Sequence, residues 1–313
     1  MERAKLFHLE SLSVVEISGP DATTIVHNLT TQAVRELAHG ESTETFVTDV
    51  KGKMLGHSIV LKDQDSLWLM GPHGQSQAVA AHLDRYIIRE DATVTIHDEK
   101  YSGVVMPESL ANAFFDIPDL TTEAASGTEQ NSARFKANSI DLKNTQTWVI
   151  CVPWIGDRSR LVLVDQAFKP ETLAEIAQQP TCEIGTEEEF HTQRILSGFP
   201  WFGIDLDNSN LPQEADRDAS TISFTKGCYL GQETIARLDA MGQVQKKLVR
   251  WKISNSIPSQ GTAVYQDEKV VGRLTSVTKT QEGVFAIGPA RRTHFDPGST
   301  ATFDDGSATA TVI

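Results

Sequence analysis

From Lys246 to Ile313 the chain shows no helical period. Short runs (Leu248 to Ile253, Thr262 to Tyr265, Val270 to Val277, Val284 to Gly288, Thr300 to Phe303, Ala308 to Val312) are separated by Gly, Pro, Asp and Asn. Alternation sends successive side chains to opposite faces of a strand, and breakers at this density leave no room for a helix. Strand edges must be paired or protected, so residues 246–313 are expected to form a small all-β barrel or sandwich. The other residues of this 313-residue chain, 39% hydrophobic overall, then need cores of their own, and two or three domains are expected.

The chain before Lys246 mixes both periods. Leu12 to Ile17 is β-prone, and Ser18-Gly19-Pro20-Asp21 opens a helix whose Ile25, Val26, Leu29 and Ala33 recur at helical spacing. Strands follow at Thr45 to Val50, Met54 to Leu61 and Leu67 to Met70, with a turn at Lys51-Gly52-Lys53. Gln75 to Arg85 reads as a helix with Ala78, Val79, His82, Leu83 and Tyr86 on one side, and Thr93 to Ile96 as a strand. Gly103 to Met106 begins a second strand–helix unit, and residues 119–147 are polar and receive no regular element. Trp148 to Trp154 and Arg160 to Val164 flank Gly156-Asp157 as a hairpin, and Pro170 to Gln178 is a short helix with Leu173, Ile176 and Ala177 inward. Thr186-Glu-Glu-Glu189 is a capping box opening a helix that stops near Gly198. The following loop is aromatic (Phe199, Trp201, Phe202), which suits packing or a flat ligand equally. Mixed strands and single amphipathic helices indicate α+β layers.

The net charge of −14 disfavours non-specific nucleic-acid binding. No apolar run reaches membrane-spanning length, and MERAKLFHLE carries no secretory h-region. The cysteines, Cys151, Cys182 and Cys228, are odd in number, widely spaced and without a CxxC, which argues against disulfides or a zinc site. Reduced thiols in a soluble cytoplasmic protein are expected.

Cys228 stands apart. Phe224 to Thr234 reads FTKGCYLGQET. Lys226 puts a cation close in sequence, and Gly227 and Gly231 let backbone N–H groups approach the sulfur, both of which favour a thiolate. Gln232 and Glu233 are placed to order the loop, a ligand or a proton. Cys151 lies among apolar neighbours and reads as a buried inert thiol.

These residues carry a resemblance. KGCYLGQET, with Arg194 to Pro200 and Leu211-Pro-Gln-Glu214 before it, resembles the YgfZ branch of the glycine-cleavage T-protein (aminomethyltransferase) superfamily. Ile17-Ser-Gly-Pro-Asp21, Asn28-Leu-Thr-Thr31, Asp49-Val-Lys-Gly-Lys53 and Leu83-Asp-Arg-Tyr86 resemble its early landmarks, in order. The resemblance implies an aminomethyltransferase-like, folate-binding clover-leaf. In it, residues 1–100, completed by about 200–245, form the N-terminal folate-binding subdomain, 101–199 a second, ferredoxin-like α+β subdomain, and 246–313 a C-terminal β-barrel. It implies tetrahydrofolate as cofactor, with Phe190, Leu12 and Arg194 at folate-contact positions, and Cys228 in the signature motif with Lys226, Gly227, Tyr229, Gly231, Gln232 and Glu233. Members of the branch are described as supporting iron–sulfur cluster assembly or repair, and some are named tRNA-modifying proteins. Iron–sulfur client or assembly proteins are thus the implied partners, with no membrane and no direct nucleic-acid contact.

Two departures separate the chain from aminomethyltransferases. Leu196 stands where those enzymes have a glutamate that grips the pterin, and leucine cannot accept its N–H donors. Gly71 to Ser76 holds neither their Asn nor their catalytic Asp. Three functions remain: a folate-dependent iron–sulfur accessory factor using Cys228, a tetrahydrofolate-dependent aminomethyl or one-carbon transferase, and a binding module with a vestigial folate pocket.

Overall fold

The computed structural model describes residues 3–117, 134–142, 145–156, 158–178, 182–242, 244–303, 306 and 308–313. Of the expected features, residues 119–133, Asp157 and the side chains of Ile176 and Ala177 lie outside the described residues.

The first sheet has six antiparallel strands in the spatial order Thr93–Ile96, Leu12–Ser18, Ser66–Pro72, Met54–Asp63, Glu41–Thr48 and Arg134–Lys136. The second runs Cys182–Gly185, Ala4–Leu9, Tyr101–Pro107, Ser159–Asp165, Thr145–Val152 and Asn138–Leu142. Only its pairing of Ala4–Leu9 with Cys182–Gly185 is parallel.

Two-residue alternation decides the layering. In the strand Leu12–Ser18, Leu12 and Val14 enter a core shared with the second sheet, while Val15 and Ile17 enter a core beneath the helices Ala22–Leu29 and Ser76–Asp84. The second sheet repeats the scheme. Phe7, Leu9, Val105, Leu161 and Leu163 face the first sheet. Leu6, Val104, Met106, Val162 and Val164 pack with Leu110 and Ala111 of the helix Glu108–Phe115 and with Leu173 of Lys169–Ala177. The order helix, sheet, sheet, helix follows, each sheet buried on both faces.

The last strands close into a barrel. Lys246–Ser254 pairs with Thr309–Val312 on one side and Gly283–Arg291 on the other, completing a ring through Thr300–Thr302, Ala263–Gln266 and Lys269–Arg273. Ser276–Thr280 adds to the ring's outside along Gly283–Arg291. Trp251 fills the interior with Val249, Ile253, Val264 and Leu274.

Several elements differ from the sequence reading. The run Val270 to Val277 is two strands, because Leu274 turns into the barrel interior between them. In the helix Ser76–Asp84 it is Val79, Ala80 and Leu83 that are buried, whereas Ala78 is exposed. Residues 134–142 form two strands, one at the edge of each sheet, and their half-exposed, polar composition hid the alternation. Ala4–Leu9, given no element from the sequence, lies inside the second sheet between parallel and antiparallel neighbours.

The helix Glu187–Ser197 joins these bodies. Its capping box is formed as expected, Glu189 N donating to Thr186 Oγ1 (3.2 Å) and Thr186 N to Glu189 Oε2 (3.0 Å). Gly198 ends it at φ 78°, a left-handed conformation that glycine adopts without strain.

Candidate functional site

The segment around Cys228 is held by a frame of residues distant in sequence. Asp49 Oδ1 accepts the N–H groups of Lys51 and Lys53, both at 2.8 Å, which folds Asp49 to Lys53 into a tight turn. Gly52, at φ 77°, then lies against Gly231, at φ 83°. A Cβ on Gly231 would fall 2.5 Å from Gly52 Cα and 2.6 Å from Asp49 O, so two backbones meet where no side chain fits. Leu230 is fixed at both ends of its peptide, its N–H donating to Asn28 O (2.8 Å) and its carbonyl accepting from Thr48 Oγ1 (2.8 Å). Upstream, Ser223 N donates to Thr31 O (2.9 Å) and Thr31 Oγ1 to Thr221 O (2.6 Å). Downstream, Gln213 Nε2 donates to Ile235 O (2.7 Å) in the helix Gln232–Met241. Three of the segments singled out in the sequence, Asn28 to Thr31, Asp49 to Lys53 and Leu211 to Glu214, thus converge on one loop.

Lys226 completes the frame. Its side chain is buried, and its ammonium donates to the carbonyls of His27 (2.5 Å), Thr30 (2.7 Å) and Gln32 (2.9 Å). These oxygens gather at the C-terminal end of the helix Ala22–Leu29, where backbone acceptors lack intrahelical donors and the dipole is negative. The ammonium also sits 4.8 Å from the Tyr229 ring centre. Burial, with the charge of Arg35 behind it, lowers the Lys226 pKa to about 7, against the pull of the carbonyls toward the ammonium. Nearby His27 falls to about 4 through burial and the charges of Lys226 and Arg35, so it is a neutral ring whose Nδ1 accepts from Arg35 N (3.2 Å). The cation expected beside the thiol therefore has its three N–H groups on main-chain carbonyls.

On this frame Cys228 is exposed, whereas Cys151 and Cys182 are buried. Gly227 is exposed, with nothing within 4 Å of where a Cβ would stand. Tyr229 is buried, which pushes its phenol pKa up. Gln232 begins the helix and Glu233 lies in its first turn, favourably against the dipole. Among the described residues neither of their side chains has a hydrogen-bond partner, so main-chain bonds and Lys226 order the loop.

The three folate-contact positions lie elsewhere. Leu12 and Phe190 are fully buried in the core between the two sheets, Phe190 edge-on to Phe7 and Trp201 at 5.9 and 5.2 Å. Neither side chain reaches solvent in this structure. Arg194 is also buried: Nη1 donates to Asp205 (2.7 Å), Nη2 to Ser276 Oγ (2.8 Å) and Nε to His191 Nδ1 (2.7 Å). Asp205 in turn accepts from Thr275 and Ser276, both at 2.6 Å, so Arg194 ties the helix and the aromatic loop to the barrel. Leu196 is half-buried, and its carbonyl accepts from Arg250 (3.1 Å).

A buried charged array went unnoticed in the sequence. Glu44 is 1% exposed and accepts Arg217 Nε (2.5 Å) on Oε1 and Nη2 (2.6 Å) on Oε2. His57 Nε2 lies 2.6 Å from Glu44 Oε1, and its ring stacks on Phe199 (5.3 Å) and leans on Phe46 (4.6 Å). The Arg217 guanidinium lies 4.8 Å over the other member of that stack, Phe199. Burial alone would raise the Glu44 pKa, but Arg217 and His57 bring it down to about 2. His57 is clamped by Gln75, whose Oε1 accepts His57 N (2.7 Å) and whose Nε2 donates to His57 O (2.9 Å). Among the described residues His57 Nδ1 is buried without a hydrogen-bond partner. One signal was legible. Glu44 shares strand parity with Phe46, and a carboxylate on a core-facing position requires a cation opposite it.

Among the described residues no group of three or more His, Cys, Asp or Glu is placed to hold a metal ion, and no helix is long and apolar enough to cross a membrane.

Comparison with known proteins adds ancestry to this geometry. The family model described as GCVT N-terminal domain matches residues 1–224, ending two residues before Lys226. A probable aminomethyltransferase of Natronomonas pharaonis is 25% identical over 95% of this chain and 82% of its own length. The tRNA-modifying protein YgfZ of Cronobacter sakazakii is 27% identical over 78% of this chain and 69% of its own, and that of Escherichia coli 22% over 94% and 87%. The glycine cleavage system aminomethyltransferase T of Bartonella henselae superposes with a TM-score of 0.82 at 15% identity, covering 100% of this chain and 85% of that one. The fold is thus the aminomethyltransferase fold, closed by its C-terminal barrel.

Proposed function

The chain belongs to the GCVT N-terminal domain family, and from that premise we propose that it is a folate-binding protein of the YgfZ type that supports iron–sulfur cluster assembly or repair through the thiol of Cys228. The observation that carries this reading is the contrast among three cysteines. Two are buried in strands, and the third is exposed on a loop that three distant segments and a buried lysine hold in place. Rigid support under an exposed nucleophile is what a functional group requires and an incidental surface residue does not. Such a thiol can contact iron or sulfur of a client's cluster, which is substrate here rather than a resident group. The clients are iron–sulfur or assembly proteins of the cytoplasm.

For tetrahydrofolate, the polar groups nearest in kind are those of the Glu44, His57 and Arg217 array, of which only Arg217 reaches solvent in this structure, so a bound pterin would have to part this packing. With Nε2–H directed at Glu44, the His57 ring offers Nδ1 as an acceptor, and that buried atom has no partner among the described residues. A pterin N–H is a donor of the matching kind, while Phe46 and Phe199 are themselves buried against the imidazole. Arg217, part exposed, would meet the ligand from solvent. When bound, the folate would supply a carrier nitrogen for a one-carbon unit. The chain's own residues would orient the ring and keep Glu44 ionised beside it.

The second reading, a tetrahydrofolate-dependent aminomethyl or one-carbon transferase, is favoured by the 25% identity to the probable aminomethyltransferase. Against it stand Leu196 in place of an acid and Gln75, whose amide holds the His57 main chain rather than a substrate. Purified protein incubated with a one-carbon folate separates the two. Binding without turnover is expected, and catalytic turnover would establish the transferase.

A further inference from the structure

Charge is distributed unevenly along the chain. Residues 246–313 hold nine Lys and Arg against six Asp and Glu, a net of +3 in a chain of −14. Among the described residues the barrel strands carry eight Lys and Arg and neither Asp nor Glu, and the described acids of the barrel, Asp267, Glu268, Glu282 and Asp296, lie between strands. We propose that the barrel rim at Lys246, Arg291 and Arg292 is a docking surface for an acidic segment of a partner protein.

The strand register builds the rim. Lys246 stands directly opposite Arg291 in the pairing of Lys246–Ser254 with Gly283–Arg291, so the two side chains leave the same face. That face is the outer one, because Val249, Trp251 and Ile253 on one strand and Val284, Ala286 and Ala290 on the other fill the interior. Arg292 is tied alongside, its N–H donating to Gln245 O (3.1 Å). Like charges directly opposite one another destabilise a sheet, and an anion between them removes that cost. The nearby acids supply it only in part. Lys246 Nζ is 3.5 Å from Glu214, whose Oε2 already accepts Asn210 Nδ2 (2.7 Å) and Leu211 N (3.3 Å). Asp216 faces Lys247 at 2.9 Å. Arg291 and Arg292 are exposed, and among the described residues neither has a carboxylate within ion-pair distance.

The occupant follows from the sign and extent of the charge. A nucleic-acid strand is charged along its whole length, and one that runs past the barrel meets residues 1–245, whose net charge is −17. A short run of Asp or Glu on a folded partner pairs with the rim alone, and arginine forks match carboxylates two bonds at a time. The rim also lies toward the thiol. Asp207, its pKa lowered first by hydrogen bonds from Ser209, is lowered further by the charges of Lys246 and Lys53, which puts both lysines beside it. Lys53 closes the turn whose Gly52 lies against Gly231, three residues from Cys228. On the reading of Cys228 above, the docking protein is an iron–sulfur client or assembly protein; that identification rests on the reading, and the surface does not.

The test is fluorescence anisotropy of a labelled hexaglutamate peptide titrated with the full chain at about 50 mM salt, where screening is weak. Hexaglutamate is expected to bind and hexaglutamine not, with binding about tenfold weaker at about 200 mM salt. Arg291→Gln combined with Arg292→Gln should weaken it by at least about tenfold without lowering the melting temperature, since the like charge opposite Lys246 is also removed. Lys252→Gln combined with Lys279→Gln removes the same charge at the other end of Gly283–Arg291 and should retain most of the affinity. Cys228→Ala should bind as the parent does, so failure of the surface and failure of the thiol's role are read separately. Absence of binding at low salt overturns the proposal, as does equal weakening by the two double variants. A single-stranded RNA of about twelve nucleotides that binds through Arg291 and Arg292 more tightly than the peptide overturns it too.

Discussion

Replacing Lys226 by methionine separates two roles that one lysine near a cysteine can play. Lowering its pKa to about 7 from 10.5 makes the buried ammonium costly, by about 5 kcal/mol. Its three hydrogen bonds, at 2.5, 2.7 and 2.9 Å, contribute about 1.5–3 kcal/mol each as charge-assisted bonds. Together the three bonds, about 4.5–9 kcal/mol, match or exceed that cost. Methionine removes both, yet leaves the carbonyls of His27, Thr30 and Gln32 without that donor, each a loss of about 1–3 kcal/mol when buried. A net destabilisation of about 3 kcal/mol, local to the loop, is expected for Lys226→Met. Native-state hydrogen exchange reads it at the amides of Ser223 and Leu230, which donate to Thr31 O and Asn28 O. Their exchange should accelerate by about a hundredfold, the equivalent of that free energy. A lysine whose role is to activate the thiol predicts otherwise: unchanged protection, with only the alkylation rate of Cys228 slowed. Protection at both amides within about threefold of the parent would refute the frame.

Three further outcomes follow from the structure. Gly231→Ala must place a side chain at φ 83° against the backbone of Gly52 and Asp49, and a loss of at least about 2 kcal/mol in urea unfolding is expected. Gly227→Ala, with open space around it, should stay within about 0.5 kcal/mol of the parent. For Glu44, the folded pKa of about 2 lies below the unfolded value near 4.3, so its contribution is present above the unfolded pKa and lost as pH falls through the folded one. The stability gap between the parent and Glu44→Gln, about 3 kcal/mol at neutral pH, should shrink below about pH 5 and close near pH 2. A gap independent of pH would mean that the Arg217 pair does not hold the carboxylate ionised.

Residues whose role is periodic were readable from the sequence. The alternation of Leu12, Val14, Val15 and Ile17, the capping box at Thr186 and the strand texture after Lys246 each belong to a local pattern. Local patterns survive in one dimension. Ala4–Leu9 and residues 134–142 were not readable, because the first strand is fixed by partners some hundred and more residues away and the others alternate weakly near a sheet edge. At the site, the cysteine was legible through its glycine-rich motif, but the work of Lys226 was not. A cation two residues from a thiol in sequence points into a helix end from another part of the chain, and only tertiary structure shows it. The same holds for Glu44, His57 and Arg217, which lie in three separate segments and form one buried array.

The account rests on Cys228 as the group that the frame exists to present. Its most direct measurement is the activity of iron–sulfur enzymes in cells lacking this protein, supplied with either the parent chain or Cys228→Ala, together with tetrahydrofolate titration of both purified proteins. The account predicts equal folate affinity and equal stability for the two, with enzyme activity restored by the parent chain alone. Full restoration by Cys228→Ala would contradict it.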